Sequence, residues 1–385
     1  MTYQQQDTFR DARQGGDLTS HTGRPISLDL SVCSNRLGPP DSAVRALAAF
    51  AAERRSDLGP PPYGAEKTYT SAYAEHLGVD EDALLCGRGV TEFLMILARY
   101  LQDEDVALVT PEYTETMRRF GYATFYPPAG QPDSASHRLE RVCQAMAKHR
   151  YVILSNPNNP LGLYVDSADL LEACREYPHC TLVVDEEYIE FQGPGASLAG
   201  ADAVNLVVLQ STGKSFGITA TRAGILWTRN PVLHRAVQLQ LPTWPLSLLD
   251  IAVATAALTD RAWAQHALPR IRRDAQALEQ LLTERFGTAV IRSAIHYRFV
   301  HLKDPDATAA HLEEYGIAVR AFDGTVRGRI GGIRVMAPTT ADEFELLRSA
   351  LATLRLPAPP RPESRSRAVA PYRGKAVLDP ICEIG

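Results

Sequence analysis

Tyr151-Val152-Ile153-Leu154-Ser155 runs directly into Asn156-Pro157-Asn158-Asn159-Pro160-Leu161-Gly162. The first five residues are short, apolar and rich in branched side chains, the pattern of a strand buried on both faces. The next seven carry two prolines and a glycine among amides, so the strand ends there in a polar loop. The same grammar recurs along the chain. Ala83–Cys86, Val106–Thr110, Leu182–Asp185, Asn205–Gln210 and Gly224–Thr228 read as further buried strands. Helical patterns lie between several of them: Thr91–Leu101, with Phe93, Leu94, Leu97 and Leu101 on one stripe, then His137–Lys148, then Ser167–Tyr177 with Ser167 and Asp169 as start signals. Strands alternating with helices predict an α/β domain built on a mostly parallel sheet.

The pattern changes at about residue 247. A long Ala- and Leu-rich helical stretch runs to about Phe286. Strand-like pieces follow at Tyr297–Leu302, Ile317–Arg320 and Gly332–Val335, with helices at Thr308–Tyr315 and Ala341–Leu354. The expected organisation is a polar arm over 1–27, a segment over 28–40 that joins a small domain, a large domain over 41–246, the small α+β domain over 247–356, and a flexible Pro/Ser/Arg tail over 357–385.

The 385 residues, at about 150 per domain, allow two or three domains. A net charge of -5 argues against a general nucleic-acid binder or a polybasic membrane reader. No apolar run reaches the roughly 18 residues of a membrane span, and the polar N-terminus has no signal-peptide stretch. Six cysteines without a CxxC pair read as reduced thiols in a cytoplasmic protein.

In parallel sheets, ligands bind beyond the carboxyl ends of the strands. Five strand ends here carry polar or glycine-rich residues: Gly87 to Glu92, Thr110 to Tyr113, Asn156 to Gly162, Asp185 to Tyr188, and Ser211 to Gly217. Five in succession predict one convergent site. Simpler motifs fit poorly. A P-loop would need glycine where Val208 stands, so a P-loop NTPase is a remote alternative. Gly87-Arg88-Gly89 opens a dinucleotide fingerprint whose third glycine position is Glu92. Ser211-Thr212-Gly213-Lys214 spells S-x-x-K, but its companion motifs are absent.

Taken together, the loops resemble those of the fold-type I enzymes that depend on pyridoxal 5′-phosphate (PLP). Within them the chain is similar to class I/II aminotransferases of the histidinol-phosphate aminotransferase kind, over residues 28 to 355. The resemblance rests on Ser155 to Gly162, on Asp185-Glu186-Glu187-Tyr188-Ile189-Glu190-Phe191, and on Ser211-Thr212-Gly213-Lys214 followed by Arg222. It implies a PLP-transferase fold with a large domain, a mostly parallel central sheet and a smaller α+β domain. It implies transfer of an amino group from an amino acid to a keto acid or ketone through a Schiff base on Lys214, a role that needs an amine placed just past a buried strand. Asp185 would keep the pyridine nitrogen protonated, and Tyr188 and Asn159 would tune the ring 3-oxygen. Gly89, Val90 and Thr91 at a helix start, with Ser211 and Arg222, would hold the phosphate. Tyr113 would stack on the ring, and Tyr63 would reach in from the neighbouring subunit of a homodimer. Arg334 would clamp the substrate carboxylate, with Asn35 beside it. No metal is expected. Leu161, Gly213 and Ala220 stand where relatives usually carry Thr, a hydroxyl residue and Gly, so a histidine-pathway substrate does not follow. Other PLP chemistry stays open, whether a decarboxylase of the threonine-phosphate type or elimination and cyclisation. So, remotely, does a non-catalytic PLP-fold regulator.

Overall fold

A computed structural model describes Gly16, Leu18 and residues 25–129, 133–193, 195–293 and 295–355. The expected tail over 357–385, and most of the arm over 1–27, lie outside the described residues.

The seven-stranded sheet comprises β1 (Leu84–Gly87), β2 (Val106–Leu108), β3 (Thr124–Phe125), β4 (Tyr151–Ser155), β5 (Thr181–Asp185), β6 (Leu206–Ser211) and β7 (Gly224–Thr228), in the order β1-β7-β6-β5-β4-β2-β3. Only β7 runs against its neighbours; the remaining pairs, from β6 through to β3, are parallel. Alternation along the strands divides the core. Val152, Leu154, Leu182, Val184, Val208 and Trp227 pack on one face. Ile153, Val183, Val207, Leu209 and Leu226 pack on the other. Both sets are buried because helices cover both faces, which is why these strands read as continuous apolar runs.

Helices α1 (Asp41–Glu53), α2 (Glu66–Leu77), α3 (Val90–Tyr100), α4 (Leu248–Thr259) and α5 (Arg261–Phe286) matter most below. The long helical stretch of the sequence is two helices, divided where the Asp260 side chain accepts the Trp263 N–H and restarts the chain as α5. Ile251, Val253, Ala254, Ala257 and Leu258 of α4 share the core of the large sheet, and α4 packs on α1 and α2. The expected boundary at 247 therefore falls ahead of a helix that belongs to the large-sheet core. The next helix, α5, packs on the second sheet. That sheet is antiparallel and comprises β8 (Val290–Ile291), β9 (Tyr297–His301), β10 (Arg320–Phe322) and β11 (Gly332–Met336), in the order β10-β11-β9-β8. The expected strand Ile317–Arg320 is split: Leu28–Asp29 pairs in parallel with Ile317–Ala318, which ties the segment after the arm to this half.

Candidate active site

The carboxyl edge of the large sheet assembles the site by register. Ser155 stands opposite Asp185, Ser211 opposite Gly224, and Gly224 opposite Gly87. Five strand ends therefore meet along one edge. They open into a cavity of about 220 Å³, closed on its other side by Arg320, Phe322 and Arg334 of the small sheet and by Ser31, Val32 and Cys33.

Its anion-binding end is made of backbone. Gly89 precedes α3 with φ 74° and ψ 174°, a conformation essentially restricted to glycine. A Cβ there would stand 3.1 Å from Arg222 Nη2, and a Cβ on Gly224 would stand 2.8 Å from Gly89 Cα. The glycines thus let the helix start and the Arg222 guanidinium come together. No side chain caps α3, and Gly89, Val90, Thr91, Ser211 and Arg222 all line the cavity. A helix N-terminus beside a guanidinium is suited to hold a phosphate, and we refer to it as the phosphate cup.

Lys214 follows β6 and faces the same cavity. Burial lowers its ammonium pKa, an effect that the charge of Glu187 opposes. The Asp185 side chain, buried at the end of β5, accepts the Glu187 N–H at 3.0 Å. Burial first, and the Glu187 carboxylate second, push its pKa well above the carboxylate range, so it favours a cationic partner in the cavity. Tyr113, Asn159 and Tyr188 line the walls. Arg334, nearly buried, donates to Asn159 Oδ1 at 2.5 Å and to the Ser31 carbonyl at 2.9 Å. Its guanidinium lies over the Tyr297 ring, 5.3 Å from the centroid.

Tyr63, expected to serve the neighbouring subunit's site, is 75% exposed and packs edge-on against Trp244 at 5.4 Å. Asn35 stands outside the lining of the cavity. Its Nδ2 donates to the Ser215 carbonyl at 2.8 Å, its Oδ1 accepts the Leu37 N–H, and its own N–H donates to the Lys214 carbonyl at 2.8 Å. The side chain is thus consumed in docking the 31–39 segment behind the lysine turn, outside the cavity lining. Arg320, Cys33 and Glu187 line the cavity without having been singled out from the sequence. Only Glu187 had a signal there, as a second acid beyond Asp185 at strand spacing.

Glu112 holds the Asn159 loop. It is buried and accepts from Ser155 N at 2.8 Å, from Ser155 Oγ at 2.5 Å and from Arg138. Ser155 Oγ in turn accepts the Asn159 N–H at 3.1 Å.

The residues fit PLP: an amine past one strand, an acid at the end of the next, and a phosphate cup that a Cβ would fill. Known proteins agree. Histidinol-phosphate aminotransferase 1 of Pseudomonas aeruginosa is 29% identical over 301 residues, 76% of this chain and 84% of that one. The fold is that of histidinol-phosphate aminotransferases from Clostridium acetobutylicum (TM-score 0.75, 20% identity, 84% of this chain and 98% of that one) and from Sinorhizobium meliloti, solved in complex with PLP (TM-score 0.71, 21% identity, 86% and 91%). The family model for aminotransferase class I and II matches residues 25–351, most of the chain, and the protein therefore belongs to that family of PLP-dependent aminotransferases, enzymes of fold type I.

Proposed function

We propose that Lys214 carries the cofactor and acts as the proton-transfer base, and that the amino donor is an anionic amino acid or amino-phosphate compound. When bound, PLP supplies an electron sink for the charge left at the substrate α-carbon. The chain supplies the rest. Burial lowers the Lys214 pKa, which raises the fraction of neutral amine able to take a proton at Nζ. Asp185 would hold a proton on the ring nitrogen, because two buried charges of opposite sign are each cheaper than either alone. Tyr188 and Asn159 would orient the ring, and Tyr113 would cover one face. Arg222, Ser211 and the start of α3 would retain the phosphate.

Arg334 and Arg320 stand opposite each other in register on β11 and β10 and both line the cavity. That pair favours a substrate bearing an acidic group, such as a carboxylate or a phosphate ester. The observation that carries this reading is the placement of Lys214, Asp185 and the phosphate cup around one cavity. Borohydride reduction in the presence of PLP, followed by peptide mapping, tests it: the adduct belongs on Lys214, and an adduct elsewhere refutes the assignment. Keto product against CO2, measured over a panel of acidic donors, separates transamination from decarboxylation.

The protein works as a homodimer in the cytoplasm on this reading. Val44 and Leu47 of α1, Tyr63, Trp244 and Leu249 are exposed apolar side chains. α1 packs on α4 and Tyr63 packs on Trp244, and these exposed apolar side chains are our candidates for the dimer contact. The five described cysteines are free. No helix among the described residues is long and apolar enough to cross a membrane.

A further inference from the structure

The phosphate cup contains an acid of its own. Glu187 lines the cavity beside Lys214, Ser211 and Arg222. Its Oε1 takes the Ser211 hydroxyl hydrogen at 2.8 Å. Its Oε2 is shut off from solvent and has no hydrogen-bond partner. A serine hydroxyl has one hydrogen to give. Ser211 Oγ also accepts the Gly213 N–H at 3.2 Å. While Glu187 is ionised, Ser211 therefore has nothing left to donate to a phosphate. The residue before Lys214 is Gly213, so no second hydroxyl stands there to compensate.

We infer that Glu187 is an internal competitor for the cofactor phosphate: ionised, it holds Ser211 and repels the phosphate dianion; protonated, it releases Ser211 and offers the phosphate a donor of its own. The inference rests on the phosphate-cup reading above and makes cofactor retention depend on pH. The groups facing Glu187 come from every side. Lys214 and Arg222 stabilise its charge. Asp185 and Tyr188, next to it on the β5 turn, and Tyr113 all feel that charge, as do Tyr69 and Tyr73 of α2. Burial outweighs the cations and raises the Glu187 carboxyl pKa above the ordinary carboxylate value. Glu186, its neighbour, is spent differently: it accepts from Ser197 Oγ, Leu198 N and Gln210 Nε2, away from the cup.

Sulfate is the direct probe, because its own charge does not change over the pH range of the titration. Calorimetric titration of the apo-protein with sulfate, from about pH 5.5 to about pH 8.5, should show affinity falling about tenfold, one pKa unit's worth of coupling. Glu187→Gln should bind sulfate about tenfold more tightly than the wild type at the alkaline end and match it at the acidic end. Lys214→Ala should keep the slope, which separates Glu187 from the lysine. By absorbance, Glu187→Gln should tighten PLP and leave phosphate-free pyridoxal unchanged. The inference is overturned if Glu187→Gln binds sulfate no better at alkaline pH, or if it tightens pyridoxal as much as PLP. A flat wild-type sulfate profile overturns it without any variant. If Lys214→Ala still took up PLP covalently, the lysine assignment would fail while the sulfate result stood on its own.

Discussion

Glu112 and Arg138 form the most buried ion pair among the described residues, with side-chain exposures of 1% and 0%. Burial raises the Glu112 carboxyl pKa and lowers that of the Arg138 guanidinium, in each case against the pull of the partner. Desolvation therefore outweighs attraction on both sides, and the pair is held for geometry more than for net stability. That distinction can be measured. Glu112→Leu strands Arg138, whose Nε and Nη1 already lack hydrogen-bond partners and whose other hydrogen bond is to the Ser155 carbonyl at 3.5 Å, with the Asp133 charge as its remaining attraction. It should cost about 3–5 kcal/mol, the usual penalty for breaking a buried pair. Adding Arg138→Met removes the stranded charge and should return most of that loss. The remainder is about 1–2 kcal/mol, because the Ser155 N–H and hydroxyl have still lost their acceptor. Urea unfolding of the apo-protein at constant slope reads both numbers, and their difference, about 2–3 kcal/mol, is the cost of the stranded charge. The cofactor readout should diverge from stability. The double variant still lacks the Glu112–Ser155–Asn159 chain, so its PLP affinity stays reduced when its unfolding midpoint has recovered. A single variant losing under about 1 kcal/mol, or a double variant as unstable as the single one, would contradict this account of the pair.

The other predictions are simpler. Gly89→Ala asks an L-residue to hold φ 74° and pushes a methyl to 3.1 Å from Arg222 Nη2; absorbance titration should show PLP binding weakened by at least about tenfold, with unfolding shifted by only about 1–3 kcal/mol. His296 stacks on Phe191 at 3.7 Å, and burial pushes its imidazole pKa down to about 3. The fold keeps it neutral while the unfolded chain takes a proton, so stability is lost as pH falls below about 6.5. His296→Phe should remove roughly 2–3 kcal/mol of the loss between about pH 7 and pH 4.5 in denaturant titrations, and an unchanged loss would count against the burial argument. Trp244→Glu places a charge among the exposed apolar side chains; sedimentation should show half the wild-type mass, and a wild-type monomer would remove the dimer proposal.

The legible part of this protein is the part governed by strand ends. Buried parallel strands announce themselves as apolar runs, and the residue that leaves each run sits at the sheet's carboxyl edge. That logic alone places Ser155 and Asp185 side by side and brings Ser211 to the same edge, where the register sets it beside Gly224. It also explains what stayed hidden. The docking of Asn35 depends on a 180-residue separation between donor and acceptor, and no local pattern encodes such a contact. The division of the long helical stretch turns on one side chain, Asp260, acting as a cap. The membership of α4 in the large-sheet core depends on which helix faces it, and α1 and α2 carry no strand-end chemistry to mark them.

Glu187 shows the same limit from within a readable motif. Along Asp185-Glu186-Glu187 the chain alternates, so the first and third acids reach the cavity and the second points to Ser197 and Gln210. Three acids in a row look like one solvated turn until the alternation is applied. Once it is, the three acids have different partners. Asp185 faces the cavity, where it would meet a ring nitrogen, Glu186 enters a structural network, and Glu187 stands against the donors an anion would use. The first two arrangements strengthen the site as a PLP holder. The third weakens it whenever Glu187 is charged. A cup whose own acid competes with its ligand is a poor design for permanent retention and a workable one for exchange, since Glu187 and the phosphate are alternative anions for the same serine. Within the large domain, the grip on the cofactor is therefore set less by how many donors the cup contains than by which anion Ser211 serves.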